Sequence, residues 1–250
     1  MTRTTLRLLI VTAVLAIAVA GPSVAGAETN GCGAEGTIFM GPANEPQTHG
    51  DQGIVLVRNH NGLPGCTVGD TIGGGTIIEG IGGSSIFPNE WLEIGWRVDW
   101  GAIGARAYYL FYEHGSRGVA DTYHQAGSAC AVEGTLVTFK VVRLTSPSTT
   151  WSVWYACNGG GWNDWHHQAG TGSSWGNAKG ETFRQGTTPM DETHQALQWK
   201  TATTDVWHTT WVGTPICQQP LGAPGGWGII IDSSSKYRTV PSSQSTYCEF

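Results

Sequence analysis

The glutamate at position 93 interrupts an aromatic and aliphatic run, "WLEIGWRVDWGAIGARAYYLFYE" over residues 91–113. In an extended chain the side chains alternate between two faces, and one face then carries only apolar groups: Leu92, Ile94, Trp96 and Val98. The opposite face carries Glu93 between Trp91 and the bare Gly95. A carboxyl group in such a setting is a candidate general acid or base, because glutamate can exchange a proton with a reacting group. The alternative is a solvent-facing strand residue with no chemical role.

A second motif, "GSSWG" at residues 172–176, fits the G-x-S-x-G pattern of a hydrolase nucleophile. That pattern activates a serine only on a strand-to-helix turn above a parallel sheet. No helical pattern follows Ser174, so we do not predict a serine hydrolase. The glycine runs "GIGGS" and "GGG" lack the lysine and helix of a phosphate-binding loop.

Eight histidines are potential metal ligands, above all the two in "DWHH" at residues 164–167. Neighbouring residues of a strand face opposite ways, so His166 and His167 cannot easily bind one ion. We therefore expect surface histidines here, and neither a metal nor a cofactor.

Six cysteines lie beyond the first 30 residues: Cys32, Cys66, Cys130, Cys157, Cys217 and Cys248. An even number in an exported chain predicts up to three disulfides. Zinc is the alternative, but no C-x-x-C pair is present. Pairing between sequence neighbours (32 with 66, 130 with 157, 217 with 248) is the simplest connectivity.

Residues 1–27 are typical of a secretory signal peptide. Arg3 and Arg7 precede the apolar "LLIVTAVLAIAVA", and "SVAGA" offers small residues for cleavage. No second long apolar stretch follows, so we predict a secreted, extracellular protein without a membrane span. The formal net charge of −6 argues against nucleic acid as a partner. We expect a monomer.

The rest of the chain has strand patterns and almost no helical ones. Turn residues separate strand-like runs: "GIVLVR", "GTIIEG", "WLEIGWRV", "RAYYLFYE", "TLVTFKVVRL", "TWSVWYAC", "KGETFRQ", "HQALQWK", "VWHTTWV" and "WGIII". Thirty-seven glycines suit tight turns better than helices. This pattern predicts an antiparallel β-sandwich or barrel. Residues 28–250 form one domain in this interpretation, although 28–75 can also be read as a pro-region or N-terminal extension.

Seven of the twelve tryptophans fall into two groups. Alternation would point three of them into a sandwich core: Trp96, Trp151 and Trp207. Four others lie in or near loops rich in Gly and Asn: Trp154, Trp162, Trp165 and Trp175. Exposed rings of this kind can stack on sugars or peptides.

The strand "WLEIGWRV" with its partner "ARAYYLFYE" resembles the first catalytic strand of secreted glutamic peptidases of the neprosin type. It is more distantly similar to the fungal eqolisins, in which a glutamine fills the equivalent place. The segment "EGTLVTFKVVRLTSPSTTWSVWYACNGGGW" resembles the long paired strands of these enzymes, and "SSWGNAKGETF" resembles the stretch with their second glutamate. The resemblance covers roughly residues 88–212.

This resemblance implies a concanavalin-like or lectin-like jelly roll, a two-sheet β-sandwich whose concave face holds two catalytic carboxyls, Glu93 and Glu181. Two carboxyls with ordinary pKa values of about 4.3 cannot both ionise cheaply at short range. One stays protonated as an acid while the other takes a proton from the attacking water, so a polypeptide would be hydrolysed at acidic pH. The implied groove walls are aromatic: Trp91, Tyr109, Trp154 and Trp175.

A function from a different class is also open. A non-catalytic secreted β-sandwich can bind carbohydrate or a surface polymer through exposed tryptophans. The enzyme requires both glutamates in one groove, whereas the binding protein tolerates distant ones.

Overall fold

The described part of the chain consists of β-strands joined by turns and loops. The computed structural model describes residues 35–40, 48–58, 68, 71–82, 90–100, 105–116, 119–126, 130–145, 149–170, 179–185, 193–200, 203–204, 206–209, 216–218 and 227–241. The strands are β1 Glu35–Met40, β2 Gly50–Leu56, β3 Thr71–Gly82, β4 Glu90–Trp100, β5 Arg106–Ser116, β6 Val119–Ala126, β7 Leu136–Arg143, β8 Thr150–Cys157, β9 Asn163–Ala169, β10 Lys179–Gln185, β11 Thr193–Lys200, β12 Ile216–Gln218, β13 Trp227–Ser233 and β14 Lys236–Pro241. For β1, β10 and β12 the backbone alone is described.

These strands form two seven-stranded sheets. The first sheet has the order β12-β1-β10-β3-β4-β5-β6, and the second has the order β13-β14-β11-β2-β7-β8-β9. All the strand pairs that make up these two orders are antiparallel. The predicted all-β, two-sheet antiparallel fold is therefore confirmed, and it is a sandwich rather than a closed barrel.

The core lies between the two sheets, and alternation along the strands builds it. In β4 the four residues expected to point inward are completely buried: Leu92, Ile94, Trp96 and Val98. The second sheet contributes Val137, Phe139 and Val141 of β7, and Trp151 of β8, to the same core. Since side chains two apart share a face, the inner face of each strand is fixed by these apolar positions.

The loop between β8 and β9 shows why turn residues are placed where they are. Asn158 and Gly159 have φ values of 48° and 73°, in the left-handed region that Gly adopts freely and Asn tolerates. The chain reverses there inside the sequence "CNGGGW" and returns as β9.

One stretch of the chain departs from the expected structure in two respects. The predicted strand "VWHTTWV" is wrong where it is described, at 206–209, because that stretch makes only an isolated bridge between Trp199 and His208. His208 instead stacks on the Trp199 ring at 4.6 Å between centroids. Trp207 is half-buried beside the Lys200 ammonium at 5.2 Å, and so lies outside the core that holds Trp96 and Trp151.

Cys130 and Cys157 form a disulfide, as sequence-neighbour pairing predicts. It ties the segment before β7 to the end of β8, and the Cys130 side chain packs into the core. Closing a loop with a sequence separation of 27 reduces the entropy of the unfolded chain and stabilises the fold by about 3 kcal/mol. Cys32, Cys66 and Cys248 lie outside the described residues, and Cys217 lies on β12.

Other expectations also fall outside the described residues, namely the signal peptide at 1–27 and much of the region 28–75. Within the described ranges we find no helix that is long and apolar enough to cross a membrane.

Candidate active site

Glu93 lies on the outer face of the first sheet, turned away from the core. It belongs to β4, which lies between β3 and β5, and its side chain is only 3% exposed. In register, Glu93 is opposite Ile78 of β3 on one side and Glu113 of β5 on the other. Residues that are directly opposite in an antiparallel pair share a face and lie close together. Glu93 is thus a nearly buried carboxyl on the side of the sheet that does not form the core.

The position of Glu181 is given by the backbone of β10. Glu181 is opposite Thr76 of β3, and Thr76 is opposite Gly95 of β4. Positions 93 and 95 are two apart on one strand, so positions 181 and 93 belong to the same face, with β3 between them. From the usual strand spacing and rise, their Cα atoms are about 12 Å apart.

Gly95 of β4 lies between these two positions, and its lack of a side chain lets β3 pack closely against it. A Cβ atom at residue 95 would come within 2.4 Å of the Gly75 carbonyl oxygen and within 2.4 Å of Thr76 Cγ2. The backbone oxygen cannot move aside easily, so only glycine fits. The Thr76 side chain fills this space and is completely buried. The bare glycine beside Glu93 is therefore explained by close packing against β3.

Trp91 covers the neighbouring part of the same face. It is opposite Gly115 of β5, and a Cβ atom added at residue 115 would lie 2.0 Å from Trp91 Cε2 and Cζ2. The indole therefore lies flat over Gly115, next to the pair formed by Glu93 and Glu113. Trp91 is 9% exposed, and its Nε1 donor is buried with no acceptor among the described residues.

A cation lies further along this face. Arg97 Nη2 bonds Asp99 Oδ2 at 2.9 Å, and its guanidinium lies 4.3 Å from the centre of the Tyr123 ring. Tyr123 is opposite Glu113, and its ring is 5.4 Å from that of Phe111. These contacts hold the guanidinium over the β5–β6 side of the face, near the carboxyls.

Of the four expected groove walls, two lie on this face. Trp91 and Tyr109 share it with Glu93, and Tyr109 is half-buried opposite Arg97. Trp154 lies elsewhere, because it belongs to β8 of the second sheet and alternates with the core residue Val153. It therefore points away from the core on the far side of the sandwich, and this corrects the expectation for Trp154. Trp175 lies outside the described residues.

Trp154 takes part in a different cluster on the outer face of the second sheet. Lys140 of β7 is opposite Trp154, and its ammonium lies 4.7 Å from that ring and 3.9 Å from the ring of Trp162. Trp162 is 42% exposed. Burial, together with the charge of Lys200, lowers the pKa of Lys140 to about 8, while the charge of Asp164 opposes the change.

The lowered pKa of Lys140 predicts that stability rises with pH in a defined range. An unfolded lysine keeps its proton up to about 10.5, whereas folded Lys140 loses it at about 8, so the unfolded chain binds more protons between these values. This contribution to the free energy of unfolding is complete above about 10.5 and disappears as the pH falls through about 8. Urea unfolding at several pH values in that range is the measurement.

The matched comparison uses two methionine variants. Lys140→Met should flatten the rise of the unfolding free energy with pH relative to the unmutated protein. Lys236→Met, on the β13–β14 hairpin, should leave the rise unchanged. An identical slope in the Lys140→Met variant and the unmutated protein would contradict the assignment.

The histidines of β9 point in opposite directions, as the sequence predicts. His167 Nε2 lies 2.8 Å from Asp164 Oδ2 on the outer side, whereas the His166 ring stacks on Tyr112 at 4.5 Å. Burial lowers the pKa of His166. A hydrogen bond with Gln168 opposes this effect, and the charges of nearby histidines add to it. No group of three potential metal ligands lies together in the described part of the chain.

Sequence reasoning missed the half-buried carboxyl of Glu113 and the completely buried carboxyl of Glu79. Glu113 became visible only through the register of β4 and β5, although "YYLFYE" places it on the same alternating face as Tyr109. Glu79 of β3 lies on the core side, where both of its oxygens lie within 2.9 Å of the Thr48 hydroxyl that donates to it. Glu79 is therefore separated from Glu93 by the sheet itself.

Comparison with solved structures identifies similar folds. A scytalido-glutamic peptidase with a transition state analog inhibitor superposes with a TM-score of 0.51 at 11% sequence identity, covering 84% of this chain and 98% of that chain. The same peptidase with a peptide based transition state analog gives a TM-score of 0.48, and SCP-B, a member of the eqolisin family in complex with the tripeptide Ala-Ile-His, gives 0.46. Both have the same identity and coverage as the first. No family model matches the sequence, and no curated protein matches it.

Proposed function

We propose that the chain is a secreted endopeptidase that hydrolyses peptide bonds at acidic pH with Glu93 and Glu181 as its catalytic carboxyls. The observation that carries the proposal is the register through β10, β3 and β4, which assigns both positions to the outer face of the first sheet. The similarity to the fold of a glutamic peptidase supports the same class of chemistry.

The proposed mechanism needs one proton on the pair. Glu93, in its ionised form, takes a proton from water, and the water oxygen attacks the carbonyl carbon of the peptide bond. The protonated partner, Glu181, donates a hydrogen bond to the developing oxyanion and stabilises it. Glu93 then passes the proton it took from water to the amide nitrogen, the oxyanion re-forms the C=O bond as the C–N bond breaks, and the amine leaves, so that Glu93 is ionised again and Glu181 still holds its proton. Neither a metal nor a nucleophilic serine takes part.

A polypeptide is the proposed substrate, and it would lie across β3, β4 and β5. Two glutamate side chains about 12 Å apart at Cα can approach each other above Thr76, because each reaches roughly 4 Å from its Cα atom. Trp91 and Tyr109 then form walls of the groove, and the buried Trp91 Nε1 offers a donor to a substrate carbonyl. A neprosin-type enzyme would act near proline.

The remaining parts of the proposal concern the state of the protein. We propose that residues 1–27 direct secretion, that residues 28–250 act as one domain, and that the enzyme works as a monomer without a cofactor.

The direct test is cleavage of an unfolded protein substrate from about pH 3 to pH 8, with fragments identified by mass spectrometry. We expect a maximum at about pH 4, since the singly protonated pair is most abundant near the ordinary pKa of glutamate. Absence of cleavage over the whole range would end the proposal.

A second candidate function is favoured by the cluster of Lys140, Trp154 and Trp162. A half-exposed tryptophan beside a lysine is suited to stacking on a sugar ring and binding its acidic groups. If the protein cleaves nothing, retention on acidic polysaccharide that is lost in Trp162→Ala would establish binding instead.

A further inference from the structure

Glu113 is the residue directly opposite Glu93 on the outer face of the first sheet. The two are paired in the β4–β5 register, and each strand alternates so that its even-numbered neighbours, Ile94 and Tyr112, belong to the core. Cβ atoms of directly opposed residues are about 5 Å apart in antiparallel sheets. Two carboxyl groups thus occupy adjacent places on one face, without a strand between them.

The surroundings of this pair restrict its access to water. Glu93 is nearly buried, and Oε1 of Glu113 is also buried. The Trp91 indole lies over Gly115, the next residue but one along β5, and its buried Nε1 has no acceptor among the described residues. The carboxyls and the indole are therefore largely shielded from water, which strengthens electrostatic interactions between them.

Like charges in such a place oppose each other strongly. Ionisation of Glu93, Glu113 and Glu181 together on this face is unfavourable, so these three carboxyls keep one proton to higher pH than an isolated glutamate does. The titration belongs to the coupled carboxyls rather than to one residue.

Other charged and titratable residues on this face also act on the protonation of Glu113. β4 contributes Glu93, Arg97 and Asp99, β5 contributes Tyr109, and β6 contributes Tyr123. Three more residues belong to this face by backbone position: Asp121 on β6, and Lys179 and Glu181 on β10. The Arg97 charge is shared with Asp99 through their 2.9 Å contact, which weakens its effect on the carboxyls. His114, the sequence neighbour of Glu113, belongs to the opposite face.

We propose that Glu113 is a positioning residue whose carboxylate keeps the catalytic proton on the Glu93–Glu181 pair at higher pH than that pair would hold it alone. This inference rests on the proposed function and deepens it. Glu113 itself touches no reacting atom, and its effect passes through Glu93. The enzyme gains a working range that extends from strongly acidic towards weakly acidic solution.

The pH dependence of kcat/KM tests this role. In Glu113→Gln a negative neighbour is lost, so the acid form of the pair loses its proton more readily and the basic limb should move to lower pH by about one unit. The value at the optimum should remain within a few-fold of that of the unmutated enzyme. Glu133→Gln, which removes an exposed carboxyl in the turn before β7, is the control and should not shift the limb.

Two results would overturn the role. An unchanged pH profile in Glu113→Gln shows that its charge does not act on the pair. Loss of activity at every pH, as large as that caused by replacing Glu93, shows that Glu113 takes part directly instead.

An infrared measurement separates this inference from the proposed function, because it needs no activity. At about pH 6 the C=O band of protonated carboxyls should be weaker in Glu113→Gln and in Glu93→Gln than in Glu133→Gln. If these losses occur in a protein that cleaves nothing, proton sharing stands while the peptidase proposal fails. If the protein cleaves peptides but Glu113→Gln keeps the band, the role of Glu113 is wrong.

Discussion

Replacement of Glu93 by alanine should lower kcat/KM for peptide cleavage by a factor of about 100 to 10,000, the range expected when a general base is removed. No other described carboxyl on this face can replace it without moving, because Glu113 lies one strand further from β10. Initial rates on an unfolded protein substrate near the pH optimum provide the measurement. The Glu133→Ala variant, which removes an exposed carboxyl, should retain full activity.

The glutamine variant assigns the role of Glu93. An amide donates a hydrogen bond but cannot take a proton from water, so Glu93→Gln should be as inactive as Glu93→Ala if Glu93 is the base. Activity in the glutamine variant alone would instead make Glu93 the hydrogen-bond donor and Glu181 the base. Activity in both variants would contradict any catalytic role for Glu93.

Stability measurements exclude unfolding as the cause of these losses. Glutamine keeps the size and shape of this nearly buried side chain, so the Tm of Glu93→Gln should stay close to that of the unmutated protein. A Tm that falls steeply would leave loss of structure as the explanation for the lost activity.

The second large effect concerns the opposite face of the same strand. Trp96→Ala should lower the free energy of unfolding by about 3–5 kcal/mol, because the completely buried indole leaves a cavity between the sheets. Urea unfolding followed by circular dichroism gives the value. Trp162→Ala is the matched control, since the same side chain is deleted at a place where it is 42% exposed, and its cost should be below about 1 kcal/mol.

A different order of these two values would contradict the assignment of the core. Equal losses in Trp96→Ala and Trp162→Ala would show that Trp96 does not fill the space between the sheets. The comparison also tests the division of the tryptophans into core residues and surface residues.

Local pattern was sufficient to predict the strands that carry the core. Alternation in "WLEIGWRV" identified the inner and outer faces of β4 because its apolar side chains must leave water together. Five strands were not predicted: β1, β6, β9, β12 and β14. For the polar strands β6 and β9 the reason is a lack of apolar alternation. Each lies at the edge of its sheet, where little apolar surface is buried, so "VADTYHQA" and "NDWHHQA" show no clear alternation.

The arrangement of the candidate site depended on information that a local pattern does not hold. The opposition of Glu93 and Glu113 is set by the register between β4 and β5, and a shift of one residue would reverse the faces. The place of Trp154 depended on which sheet β8 joins, and the chain passes to the second sheet between β6 and β7. Spacing along the sequence does not determine either fact.

The pairing of β10 with β3 has a consequence for the order in which the chain folds. Hairpins β3–β4 and β4–β5 join neighbouring segments, whereas β10 must find a strand made about a hundred residues earlier, and long loops close late. Glu181 therefore reaches the side of Glu93 only when most of the chain has emerged and collapsed. In the proposed peptidase, a newly made chain would therefore have no activity until folding is nearly finished.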